Sequence, residues 1–231
     1  MTNETSTPGA QWGVLILIAI MIIWFARWIL RDPAMRSSES ICVGDATQCF
    51  RVQAAYAKDG GRLAARRLQE VDKRIKKLIS YMRTRPQNGR TKILRKIESR
   101  YDSNSLVEVP PDNPENDTAY AVGKGDVIGL CLRERNPRES GELDHHDLVP
   151  LNTLMFVALH ELTHLGCDAE GASGDDHPPA FWKAFKIILK DAEKADTIFL
   201  IDYAKNPARY CGVTINYSPA FNTEVVRHVK T

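Results

Sequence analysis

The chain carries His160-Glu161-Leu162-Thr163-His164, two imidazoles and a carboxylate within one helical turn. Residues i and i+4 share a helix face, so His160 and His164 can direct ring nitrogens at one divalent cation. Glu161 stands beside them, placed to take a proton from a water that the cation activates. A catalytic zinc wants three protein ligands and one open position. His177 is the third candidate, since it stands at the entrance to a following helix, where the backbone can be fixed. Its neighbours Asp175 and Asp176 offer a two-histidine, one-carboxylate set instead, which also suits iron. His145 and His146, flanked by Asp144 and Asp147, read as exposed loop histidines rather than a second metal site.

Several elements must hold these residues in place. Met155, Phe156, Val157, Leu159 and Leu162 make the motif helix strongly apolar, and two unligated imidazoles buried among them would be costly. The helix is expected from about Thr153 to Gly166, with Asn152 as its cap and Gly166 as its stop. Ahead of it, Asp126 to Arg133 reads as a strand with β-branched Val127 and Ile128, beside which an extended substrate could pair. After a Gly- and Asp-rich loop, Pro178 and Pro179 suit the first positions of another helix. Phe181, Phe185, Ile188 and Ala192 form its buried stripe. Peptide hydrolysis also needs a stabiliser for the oxyanion. Tyr210 is a candidate, with core packing as its competing role. Gly123-Lys124 lacks the spacing of a nucleotide-binding loop.

The 231 residues divide unevenly. A short tail (1–11) precedes an apolar run (12–30), then a linker (31–58) and a domain over 59–231. At 43% hydrophobic and 26% charged residues, the composition is that of a globular protein rather than a disordered one. Trp12 to Leu30 is nineteen residues, about 28 Å as a helix, close to the hydrocarbon thickness of a bilayer. Trp12, Trp24 and Trp28 suit its interfacial edges, and a cleaved leader would want basic residues before the run, where there are none. Arg27, Arg31 and Arg36 follow the run, so the positive-inside rule puts the large domain in the cytosol. Glycosylation of Asn116, which sits in an acceptor triplet, would reverse that orientation.

Net charge is +2, yet residues 60–100 hold fourteen Lys/Arg against three Asp/Glu, leaving −9 for the rest. Leu68, Val71, Ile75, Leu78 and Met82 recur at three- and four-residue steps and mark an amphipathic helix there. Pro86-Gln87-Asn88-Gly89 marks a turn, and Thr91 to Arg100 a second short helix. The basic faces are either ordinary solvated helix or a surface for anions, with lipid headgroups the natural partner so close to an anchor. Nucleic acid is the less favoured alternative, because aromatic residues for base stacking are sparse. Five cysteines without a C-x-x-C pair exclude a zinc ribbon and a complete disulfide framework. A Cys42–Cys49 bridge requires an oxidising compartment.

His160-Glu161-x-x-His164 followed by His177-Pro178-Pro179-Ala180-Phe181-Trp182 resembles the WLM and SprT-like zincin metallopeptidases. Thr118 to Tyr120, Gly123 to Gly125, Leu130 to Arg133, Met155 to Val157 and Tyr210 to Gly212 are similar to segments of the WLM-like peptidases of nucleocytoplasmic large DNA viruses. The likeness covers roughly residues 68 to 220, and the stretch from His164 to His177 is longer than in many WLM proteins. The resemblance implies an α+β zincin-like domain, a small sheet plus the motif helix, behind a single transmembrane helix. It implies a Zn2+-dependent peptidase acting on protein or peptide substrates, resident in a virion or a host internal membrane. The competing expectation is a structural virion membrane or minor capsid protein that keeps the scaffold without protease activity and contacts capsid proteins.

Overall fold

Leu68, Val71, Ile75, Leu78 and Met82 are all fully buried, so the apolar stripe read from the sequence is the inner face of a long helix. The computed structural model describes residues 15, 17–23, 38–44, 48–53, 60–86, 88–109, 118–133, 148–167 and 177–222. Within them the long helix is α1 (Gly60–Arg83), followed by α2 (Asn88–Arg100). Asn88 and Gly89, expected in the turn, begin α2 instead.

The fold is α+β. Five strands, β1 (Ser38–Val43), β2 (Gln48–Gln53), β3 (Leu106–Val109), β4 (Ala119–Val122) and β5 (Val127–Cys131), form a mixed sheet in the order β1-β2-β3-β5-β4. β1 and β2 are antiparallel, as are β4 and β5, whereas β3 runs parallel to both β2 and β5. Helix α1 lies against β1, β2 and β3. Two further helices, α3 (Leu151–Gly166) and α4 (Pro179–Lys194), pack on each other, and α3 also packs on α2 and β4. A small hairpin of β6 (Ala208–Tyr210) and β7 (Val213–Ile215) completes the set.

Two expectations change here. The stretch 31–58, read as a linker, contains the β1–β2 hairpin, whose Phe50 and Val52 are buried. Its strands are too short to show a sustained period, and a Cys42–Cys49 disulfide joins them across the register. The strand β5, expected to pair with substrate, is flanked by β3 and β4, so its backbone groups are already committed. Among the described residues the sheet edge nearest α3 belongs to β4. Gly129 explains how β5 sits so tightly, because a Cβ there would stand 2.7 Å from both the Tyr120 ring and Val109.

No helix among the described residues is long and apolar enough to cross a membrane. Most of 12–30 lies outside the described residues. Leu15 and residues 17–23 are helical and exposed.

Two of the buried carboxylates, Glu108 and Asp72, join separate elements through their partners. Glu108 on β3 receives Arg133 Nε at 2.8 Å and the backbone N–H of Gln53 at 2.9 Å. Burial pushes its carboxyl up, and the Arg133 guanidinium and the Gln53 N–H pull it back. Asp72 on α1 accepts hydrogen bonds from Gln48 Nε2 (2.9 Å) and Tyr101 Oη (2.8 Å), and Lys76 Nζ lies 2.8 Å away. It thereby joins the hairpin, α1 and the end of α2. Burial alone would raise its pKa, but hydrogen bonds from Lys76, Gln48, Ser103 and Tyr101 overcome this and hold it below the usual carboxylate range.

A carboxylate whose pKa is depressed by folding stabilises the native state above its unfolded value, and that contribution is lost as pH falls through the folded one. Asp72→Asn should therefore lower stability at pH 7 by about 1.5–3 kcal/mol. The gap to wild type should narrow below about pH 4. Denaturation midpoints at pH 7 and pH 3 measure it, and an equal gap at both would show that the charge on Asp72 is not what the site holds.

Candidate metal centre

Helix α3 is apolar enough to be buried along most of its length, yet it carries His160, Glu161 and His164 on one side. At about 100° per residue, Glu161 stands about 60° around the axis from His164. The helix starts at Leu151 with Pro150 at the cap position, so Asn152 lies inside its first turn rather than capping it. Asn152 instead receives the Phe199 N–H on its side-chain oxygen and donates its amide to the Phe199 carbonyl, both at 2.8 Å. The expected cap is thus a clamp on a distant loop. At the other end Gly166 closes the helix as expected, and a Cβ there would stand 2.9 Å from Ile93 of α2.

Pro178 and Pro179 open α4 as anticipated, and they fix the backbone just after His177. His177 thereby reaches the two α3 histidines. Among the described residues, His160, His164 and His177 are the one group able to hold a metal ion, with ligand atoms all within 4.8 Å of one another. The Nε2 atoms of His160 and His177 lie 2.9 Å apart, one donating an N–H to the other's lone pair. Zinc–nitrogen bonds of about 2.0–2.1 Å in a tetrahedron place donors about 3.3 Å apart, within reach of this spacing. Burial pushes the His160 pKa down to about 3, with His177 and then His164 adding to the effect. A neutral imidazole is the form that ligates a metal. The donor set therefore fits a zinc-class cation.

Aromatic rings fix the imidazoles from behind. Phe181 lies 4.9 Å from His160, 4.5 Å from His164 and 4.6 Å from His177, centroid to centroid. Phe185 meets His160 at 5.3 Å, and Trp182 meets His177 at 5.6 Å. In the sequence Phe181 belongs to a buried stripe and to the motif that follows His177, and neither gives its contact with the imidazoles. Its position one turn after His177, on the face of α4 turned to α3, gives it contact with all three ligands.

Tyr210 is buried, and its hydroxyl donates to the Thr118 carbonyl at 3.2 Å. Its neighbour Cys211 forms a disulfide with Cys131 at the end of β5, a bridge the sequence did not single out, beside the Cys42–Cys49 bridge it left open. Cys167 is the free thiol. These bonds are what a packing tyrosine and a stapled hairpin require. Asp175, Asp176, His145, His146 and Asn116 lie outside the described residues.

The chain is 33% identical over 207 residues to the uncharacterized protein R325 of Acanthamoeba polyphaga mimivirus, an alignment covering 88% of this chain and 95% of that protein. It belongs to the R325 family. A second relative, the uncharacterized protein 136R of Invertebrate iridescent virus 6, is 30% identical over 91 residues, 39% of this chain and 43% of its own length. No protein-family model and no solved structure matches the chain.

Removing one imidazole should leave an incomplete set. Purified His164→Ala and His177→Ala proteins are expected to lose stoichiometric zinc by elemental analysis. Phe181→Ala keeps every ligand but frees the rings. It should weaken zinc affinity about 10–100-fold and cost about 3–5 kcal/mol of stability. Phe181→Leu, with most of the volume kept, should sit between it and wild type. Full zinc retention in His177→Ala would remove that residue from the set.

Proposed function

We propose that this protein is a membrane-anchored, zinc-dependent metallopeptidase with a zincin-like domain. The observation that carries the reading is the convergence of His160 and His164 of α3 with His177 at the entrance to α4, with Glu161 in the same helical turn of α3. The resemblance of His160 to Trp182 to the WLM and SprT-like peptidases supports it, and both relatives being viral proteins agrees with the viral branch of that group.

His160, His164 and His177 would hold Zn2+. Bound there, the ion supplies Lewis acidity toward a carbonyl and brings the pKa of water to about 7. Glu161 is buried, so its carboxylate has little bulk water to compete for its proton. It would accept the proton of the attacking water and pass it to the leaving amine. Substrate docking falls to the free edge of β4, where an extended peptide can add as a sixth strand next to α3.

The apolar run 12–30 supports the anchor, and Arg27, Arg31 and Arg36 support a cytosolic domain. The two disulfides weigh the other way, since such bonds persist in oxidising surroundings. Glycosylation of Asn116 in infected or transfected cells would decide for the lumenal side.

Zinc-loaded full-length protein should cleave an unstructured protein substrate, and Glu161→Gln should slow cleavage by about 10²–10⁴-fold while keeping its metal. Equal rates in the two proteins would sink Glu161 as the base. Metal-replete wild type that cuts nothing across a substrate panel would leave the structural virion protein as the better account.

A further inference from the structure

The sequence left the basic helices with two readings, and the structure divides them residue by residue. Arg67 donates to the Val149 carbonyl (3.0 Å), Arg74 to the Thr197 carbonyl (3.0 Å) and Arg100 to the Leu165 carbonyl (2.7 Å), while Arg90 pairs with Asp191. Those side chains build the fold. Arg62, Arg66 and Lys73 do not. All three are exposed, and among the described residues none has an acidic partner. At about 100° per residue they fall within about 40° of one another on α1, opposite the buried stripe. Lys77, about 20° further round, extends the row and is paired with Asp196, 3.0 Å from its backbone oxygen and 3.4 Å from its carboxylate.

That contact brings a second feature alongside. The loop after α4 carries Phe199, whose side chain is 76% exposed, the most open large apolar residue described. Its backbone is not loose, because the Asn152 side chain grips both its N–H and its carbonyl. Arg74, bonded to Thr197, and Arg67, bonded to Val149 just before α3, place this loop on the flank of α1 beside the basic row. A rigidly held, solvent-facing phenylalanine next to a straight row of cations, three of which have no acidic partner among the described residues, calls for a partner that is anionic outside and apolar within. The same chain supplies a further indication: Leu15 and residues 17–23 are helical, apolar and exposed.

We propose that the outer face of α1 together with Phe199 is a docking surface for an anionic lipid bilayer. Arg62, Arg66, Lys73 and Lys77 meet the headgroups, and Phe199 enters the interfacial layer. Phosphate-bearing headgroups provide the countercharge, and the neighbouring hydrocarbon accepts the ring. A nucleic acid would satisfy the row of cations but would give a single isolated aromatic no series of bases to stack on. The surface is independent of the metal centre, so its fate says nothing about peptidase activity.

The test uses full-length protein reconstituted into phosphatidylcholine vesicles with or without phosphatidylserine. Position 199 carries an NBD label through Phe199→Cys in a Cys167→Ser background. With phosphatidylserine, NBD emission should shift to the blue and the label should be shielded from aqueous acrylamide; without it, the label should stay open. Adding Arg62→Glu, Arg66→Glu and Lys73→Glu together should return the label to water, because losing three basic contacts weakens docking more than about a hundredfold. Equal quenching in both vesicle types overturns the proposal. So does shielding that survives the triple substitution, or shielding that appears only when double-stranded DNA is added to neutral vesicles.

Discussion

An imidazole on one helix and another at the entrance to the next can share one proton, or one cation, only if the two helices are held at a fixed distance. The whole candidate site rests on that spacing between α3 and α4. Phe181 fills the gap and touches all three rings. From outside, α2 braces both helices. Arg90 forks onto Asp191 of α4, and Arg100 takes the Leu165 carbonyl near the end of α3, satisfying a group that the helix terminus leaves open. Ile93 and Ile97 lie against Gly166, where any side chain would force the helices apart. A charge-rich segment that looks like a solvent face in one dimension is largely a bracket in three.

The same economy recurs in the sheet. Glu108 and Arg133 are both buried, and a charge pair taken out of water is tolerated only when its remaining atoms are also bonded. Arg133 gives a second N–H to the Gly60 carbonyl at 2.8 Å, and Glu108 receives the Gln53 N–H. The pair thus ties β2, β3, the end of β5 and the start of α1 together at one point. The Cys131–Cys211 bridge adds a covalent tie across eighty residues at the same end of β5, fixing the β6–β7 hairpin against the sheet. Arrangements of this kind resist local opening more than they add raw stability.

How much of this could be read beforehand follows from the range of each interaction. The α1 stripe, a strand within 126–133, the start of α4 and the pair of histidines on α3 were legible, because period, proline position and i, i+4 spacing are local properties. The β1–β2 hairpin was not, since six-residue strands with alternating Ser, Cys and Gln carry little period and depend on the disulfide and on α1. The role of Asn152 was misjudged for the same reason. A cap and a clamp use the same side chain, and only the distant Phe199 backbone decides between them. Strand order was also hidden: among the described residues the sheet edge beside α3 is β4 and not the more hydrophobic β5.

The sheet order has a mechanical consequence. The chain enters the domain through β1, which is the outermost strand on the side opposite β4. Any pull exerted on residues before Ser38 is delivered to that far margin, where the Cys42–Cys49 crosslink and the Asp72 junction take the load. Tension applied there would spread through the hairpin and α1 before reaching the histidines, leaving β4 at the opposite margin unloaded.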